Sequence, residues 1–405
     1  MRNFKKIISV ILTLTLLLGT VSLAASAGLW KSKEISALTF NTLSDTHFFP
    51  DSLTGNNCEA YQDYCEGSSK LYAQSEAIIR TAIETMVKRN SELKYVLVPG
   101  DLTKDSEYKA HTGLAEIFLE YEEKYGLEFI VINGNHDINT TDASTFENGK
   151  KEQTRAITPD EFKEVYAKLG YDLAFETYED YYKKTYPGES TDVSNKLSYV
   201  IDLDDYTRLI VVDSCIYSFG APEPQTTGGE ISEEAMKWIE GLAKDAKAQG
   251  KATMMMLHHG LAAHMETEPS ITFAFPLYDY LEVAEQFAAW DIHYAFSGHL
   301  HTDDTACVIN DDGDVLYDFE TASITGYPCT YREMTLSVFK DGESEMKAES
   351  IDFDAECEFS FDGKTYEKGT ASVALFDLGF GGNLSEDGKA DAVLFLTDMA
   401  YGFLE

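Results

Sequence analysis

The chain has 405 residues, 44% of them hydrophobic, which is enough apolar material for a sizeable core and excludes wholesale disorder. Its 70 acidic and 32 basic side chains leave a formal charge of −38. That balance argues against a nucleic-acid partner, because phosphate backbones are held by clustered Lys and Arg, and no basic run follows the first few residues.

At the amino terminus, Arg2, Lys5 and Lys6 precede an apolar run from Ile7 to Leu18 and a small-residue stretch ending Ala25-Ser26-Ala27. This layout predicts a signal peptide over residues 1–27, cleaved after Ala27, and a secreted or extracytoplasmic protein. The alternative is an uncleaved segment that anchors the chain in a membrane. No later stretch is apolar enough to span, so no membrane contact is expected after cleavage. Export permits disulfides among the six Cys. Cys58 and Cys65 share one polar loop and are read as a local staple or two free thiols.

From residue 35 strands and helices alternate. Ile35–Leu43 is a predicted strand, followed by a helix over Leu71–Val87 with Ile79, Ile83, Met86 and Val87 at helical spacing. Tyr95–Val98 and Phe129–Ile132 are short apolar strands around a helix over 106–125. Residues 138–195 break the alternation and are read as an insertion, partly helical, over one sheet edge. Its clearest signal is Thr158-Pro159-Asp160-Glu161, with an N-cap, Pro at N1 and Glu at N3. Strands resume at Leu197–Leu203, Leu209–Val212, Thr253–Leu257 and Ile292–Phe296, with helices near Glu233–Lys247 and Tyr278–Ala289. Thr305–Ile351 reads as antiparallel strands with a turn at Asp311-Asp312-Gly313-Asp314, and 352–405 as a C-terminal extension of unknown role. Such apolar runs separated by helices predict a layered α/β domain over residues 36–351.

The strand ends hold the chemistry. The first ends in Asp45-Thr46-His47, the second in Gly100-Asp101, and the third in Gly134-Asn135-His136-Asp137. Two later strands lead into His258-His259 and Gly298-His299-Leu300-His301. Carboxylate, amide oxygen and imidazole suit divalent cations, and ligands at i and i+2 of an extended segment share one side. Loops at the carboxyl ends of strands are also where ligands gather in layered α/β folds.

These five blocks, in this order, resemble those of the calcineurin-like metallophosphoesterases over roughly residues 36–350. The resemblance implies a four-layer α/β/β/α sandwich of two mixed sheets. It implies two divalent ions (Mn, Fe or Zn), the first on Asp45, His47, Asp101 and His301, the second on Asp101, Asn135, His258 and His299. Asp101 bridges them. His136 is implied as the catalytic group beside the phosphate, and Asn135, His136 and His259 as substrate contacts. The implied reaction is hydrolysis of a phosphodiester or phosphomonoester of a small molecule, by in-line attack of a metal-bridging hydroxide on phosphorus. The competing expectation is a non-catalytic extracellular or wall-associated binding protein that retains the fold.

Departures narrow the subclass. Protein phosphatases of the superfamily carry an Arg shortly after GD and a Glu after GNH, where this chain has Lys104-Asp105 and Asp137. Purple acid phosphatases use a Tyr three residues after the bridging Asp, where Lys104 stands. Lys104 itself is read as a solvated loop residue, with contact to the substrate phosphate as the alternative, His111 as surface, His293 as core or edge, and His264 as a candidate pocket residue. Residues 48–69, 138–195 and 260–276 are expected to rim the pocket.

Overall fold

Alternation within single strands sets the layering. In the strand Thr207–Val212, Leu209 and Val211 enter one core cluster and Ile210 and Val212 another. Met254 and Met256 likewise part from Met255 and Leu257. A strand that is apolar on both sides must be covered on both faces. The computed structural model that displays this describes residues 32–179, 182–183, 192–193, 195–265, 268, 275–352, 359–361 and 364–366. The predicted signal peptide, Cys357 and most of the C-terminal extension lie outside them. No helix among the described residues is long and apolar enough to cross a membrane.

Numbered along the chain, the strands of the two large sheets are β1 (Glu34–Thr42), β2 (Tyr95–Pro99), β3 (Glu128–Ile132), β4 (Glu176–Thr177), β5 (Tyr199–Asp204), β6 (Thr207–Val212), β7 (Ala252–Leu257), β8 (Ile292–Ser297), β9 (Asp304–Ile309), β10 (Val315–Glu320), β11 (Thr330–Phe339) and β12 (Ser344–Asp352). One sheet runs β12-β11-β1-β2-β3 and the other β9-β10-β8-β7-β6-β5-β4. Both are mixed. β1, β2 and β3 are parallel, as are β6, β7, β8 and β10, while the outer strands pair antiparallel.

The helices are α1 (Glu59–Glu66), α2 (Ser75–Arg89), α3 (Tyr108–Tyr125), α4 (Pro159–Val165), α5 (Glu233–Gln249) and α6 (Tyr280–Ala289). Ile79, Ile83 and Met86 of α2 and Leu114 and Phe118 of α3 pack with the first sheet. Ile239 and Leu242 of α5 and Val283 and Phe287 of α6 cover the far face of the second. The inner faces meet through contacts such as Phe40 against Phe296, with ring centroids 5.2 Å apart. This gives the four-layer sandwich of two mixed sheets.

Some expectations need correction. The strands of 305–351 do not form one antiparallel unit: β9 and β10 finish the second sheet, with β10 parallel to β8, and the β11–β12 hairpin crosses to the first sheet beside β1. Local alternation marks a strand but not its neighbour. The 48–69 segment holds helix α1. In the insertion, Thr158 and Glu161 form a full capping box on α4, and β4 extends the edge beyond β5. Cys58 and Cys65 are thiols, so the staple is not formed.

Candidate metal centre

The parallel strands of both sheets end along one edge, and backbone hydrogen bonds stitch their loops together. Asp45 N–H donates to the Gly100 carbonyl (3.2 Å), His47 N–H to that of Asp101 (2.9 Å), and Gly298 N–H to that of His258 (3.1 Å). These turns are strained. Asp45, His47, Asp101, His299 and His301 have φ of 50°, 38°, 48°, 74° and 62°, a region that side chains with a Cβ rarely occupy. Each such residue costs about 1–3 kcal/mol, and strain of this kind gathers at functional sites. Two glycines leave the room: a Cβ on Gly134 would overlap Asp101, and one on Gly298 would overlap the Asp45 carboxylate.

The side chains converge into two sets. One ligand atom each from Asp45, His47, Asp101 and His301 lie within 4.8 Å of one another, as do those of Asp101, His258 and His299. Asn135 joins the second set, with its Oδ1 2.9 Å from His258 Nε2. Asp101 belongs to both: Oδ1 lies 3.3 Å from His258 Nε2, and Oδ2 lies 3.6 Å from His47 Nε2. His301 Nε2 is 3.1 Å from Asp45 Oδ1 and 3.2 Å from His47 Nε2. All seven residues given to the metals by sequence are thus brought together. The five sequence blocks meet at this one edge.

The donor set fits two cations. His258 Nδ1–H donates to the Pro99 carbonyl (2.8 Å), so Nε2 faces the oxygens of Asn135 and Asp101. Imidazole held this way by its other nitrogen is the usual support of a metal ligand. Burial opposes the charged ring, but Asp101 overcomes it and pushes His258 up to about 9. Buried His299 Nε2 and His47 Nδ1 have no hydrogen-bond partner. Burial holds both rings well below their ordinary pKa, so they are neutral donors.

His136 sits beside the centre, its Nε2 3.9 Å from Asp101 Oδ2. Its Nδ1–H is shared between Asp105 Oδ1 (2.8 Å) and the Lys104 carbonyl (2.9 Å), which fixes the ring. Burial opposes its charged form, but Asp101 and Asp105 together raise its pKa. Lys104, expected in solvent, is fully buried and paired with Asp105 and with Glu107 Oε1 (3.2 Å). Burial alone would neutralise it; Glu107 and Asp105 more than offset that and raise its pKa.

Other expectations fail for stated reasons. His259 was a substrate contact, but Nδ1 accepts from the Ser214 hydroxyl (2.8 Å) and Nε2–H donates to the Thr227 carbonyl (3.0 Å), so no ring nitrogen is left for a ligand. His111 is buried rather than at the surface, bound to the Asp137 carbonyl (2.9 Å) and the Tyr166 hydroxyl (2.9 Å), and burial pushes it down to about 3. His264 lies in a carboxylate cage behind the site, against Asp304, Asp318 and Glu320. His293 holds the β8–β10 edge through the Val315 carbonyl (2.7 Å).

Sequence reasoning also missed Asp137, which accepts from the backbone N–H of Leu102, Thr103 and Gly134 and so ties two ligand loops together. Burial, and then the charge of Asp101, push it up to about 7. The centre opens into a cavity of about 240 Å³, lined by Lys70, Asp101, Asn135, His136, Gln225, Thr227, Phe275, His299, Leu300 and His301. Among the described residues, only Phe275 of this lining comes from the expected rim segments. The described residues of the insertion and of the 48–69 segment supply none of the lining, and Gln225 and Thr227 come from a loop that nothing in the local composition marks. A larger cleft, of about 650 Å³, lies between α5 and α6, away from the ligands.

No family model matches the chain, and no curated protein does. Similar solved structures include a dimetal phosphatase from Danio rerio, at 10% identity over 79% of this chain and 100% of that one, with a TM-score of 0.45. A purple acid phosphatase from seeds of yellow lupin (Lupinus luteus) is similar at 12% identity, 84% and 54% coverage and a TM-score of 0.41. Phosphopantetheinyl hydrolase from Mycobacterium tuberculosis is similar at 11% identity, 70% and 89% coverage and a TM-score of 0.31. Likenesses this distant add no weight, and the functional reading rests on the side chains.

Proposed function

We propose that this chain is a two-metal hydrolase of phosphoric esters of small molecules. The observation that supports it most is the placement of Asp101, whose two carboxylate oxygens each face a separate set of imidazole, amide and carboxylate donors. Two divalent cations held there would supply positive charge to the phosphoryl oxygens and a hydroxide near neutral pH.

The chain's own residues have distinct parts in this reading. Asp45, His47 and His301 hold one side of the centre, and Asn135, His258 and His299 the other. Asp105, anchored by Lys104, aims His136 so that Nε2 faces the cavity while Nδ1–H is occupied. From there His136 stabilises charge on the phosphoryl group and gives a proton to the departing oxygen. The small cavity suits the head of a small ester.

The test is hydrolysis of p-nitrophenyl phosphate and bis(p-nitrophenyl) phosphate by the manganese-loaded chain, with and without chelator. Chelator-sensitive turnover of either ester is expected. A metal-loaded chain that is inert on both, and on a panel of nucleotide and glycerol phosphates, would instead favour a binding protein that retains the fold.

A further inference from the structure

Resting on that two-metal reading, we propose that the Lys70 ammonium binds a non-bridging phosphoryl oxygen and selects phosphate monoesters over diesters. Lys70 is the single Lys or Arg among the described residues lining the cavity, which His136 and His301 also line. It has no ion-pair partner among the described residues, although the chain has more than two acidic groups for every basic one. The other lysine beside the site, Lys104, is spent: it is fully buried between Asp105 and Glu107. A half-buried cation left unpaired beside a ligand cavity is free to meet an anion that enters.

Its backbone is built into the centre. Lys70 bridges to Gly326, and Leu71 N–H donates to the Thr325 carbonyl (2.8 Å). That same loop holds the Asp45 carbonyl through the hydroxyls of Ser323 (2.8 Å) and Thr325 (3.3 Å). The backbone that carries Lys70 is therefore fixed relative to a metal ligand.

The substrate class follows from charge. A phosphate monoester carries about 1.5 to 2 negative charges at neutral pH, since its second pKa is about 6, whereas a diester carries one. An extra cation at the phosphoryl end favours the more charged ester. Away from Asp101 and the imidazoles the lining is uncharged: Gln225 and Thr227 offer polar groups, and Phe275 lies against His299 with centroids 4.8 Å apart. It suits an uncharged leaving group. The volume of about 240 Å³ falls below the roughly 300–1,000 Å³ of sites for drug-sized ligands, so the whole substrate is small or projects outward.

Lys70→Gln and Lys70→Arg test this in the manganese-loaded full chain. Two quantities are read: kcat/KM for p-nitrophenyl phosphate and its bis analogue, and calorimetric affinity for inorganic phosphate. Lys70→Gln is expected to lose about 10–100-fold in monoester kcat/KM and in phosphate affinity, the size of one charge-assisted hydrogen bond, with diester turnover changed by less than about threefold. Lys70→Arg should recover part of the loss, and metal content should not change. Equal losses on both esters, unchanged phosphate affinity, or no phosphate binding even by the wild type would overturn the assignment. If the wild type hydrolyses neither ester, the hydrolase reading fails, and the phosphate titration still decides the role of Lys70.

Discussion

Single residues in this site are legible in sequence when their chemistry and their chain neighbours agree. Asp45-Thr46-His47 and His299-Leu300-His301 are short, carry two donors each and follow apolar strands, so the donors are legible, although His299 and His301 enter different sets. His111 shows the reverse. It stands with Leu114, Ala115 and Phe118 at i+3, i+4 and i+7, which marks a buried helix face, although its immediate neighbours are polar. Lys104 was illegible because its burial depends on Asp105 and Glu107 closing around it, a property of the folded loop. At this scale the expected outcome concerns His136. His136→Ala should keep its metals, since that ring is in neither donor set, and should slow turnover by about 10²–10⁴-fold, the usual range for general acid catalysis. Metal analysis beside steady-state kinetics checks this; full activity would remove His136 from the mechanism.

At the scale of elements, the ligand-bearing parallel strands could be read from apolar runs that stop at glycine or histidine turns. The later strands could be identified but not assigned to sheets, because a hairpin such as β11–β12 is locally the same whichever sheet it joins. The pocket wall was the least legible part. It is made where Lys70, Gln225 and Phe275 arrive from three unrelated loops.

Element packing also explains His264. Its ring joins the loop after β7 to β9 and β10, with Nδ1 3.1 Å from Asp304 Oδ2 and Nε2 3.4 Å from both Asp318 and Glu320, while Glu268 accepts from its backbone N–H. Burial opposes the charged ring, but Asp304, Asp318 and Glu320 overcome it and push it up to about 11. A histidine whose folded pKa is raised gives stability that is fully present below its unfolded value of about 6.5 and is lost as pH rises through the folded value. His264→Gln should therefore cost most near pH 6, and the gap to wild type should close towards pH 11, by at most about 1.4 kcal/mol per pH unit. Chemical denaturation across that range reads the gap. A gap that stays constant with pH would mean that His264 is held only by packing.

For the whole molecule, the contrast is between a strongly acidic chain and a site built to hold positive charge. The formal charge of −38 repels anions at long range, so on the proposed function capture of a phosphate ester would depend on local cations. Two sheets set face to face offer the donors for such cations by ending their parallel strands along one edge, where residues as far apart in sequence as Asp45 and His301 come within 3.1 Å. The order of the blocks made this convergence readable, although no single block implies it. The centre then stands or falls with the carboxylate shared by its halves. The direct measurement is metal content per chain, by elemental analysis of purified wild type and Asp101→Asn after loading and dialysis. Two ions per wild-type chain, with both lost or weakened in the variant, is the expected result. No metal in the wild type, or two ions retained undiminished by Asp101→Asn, would contradict the account.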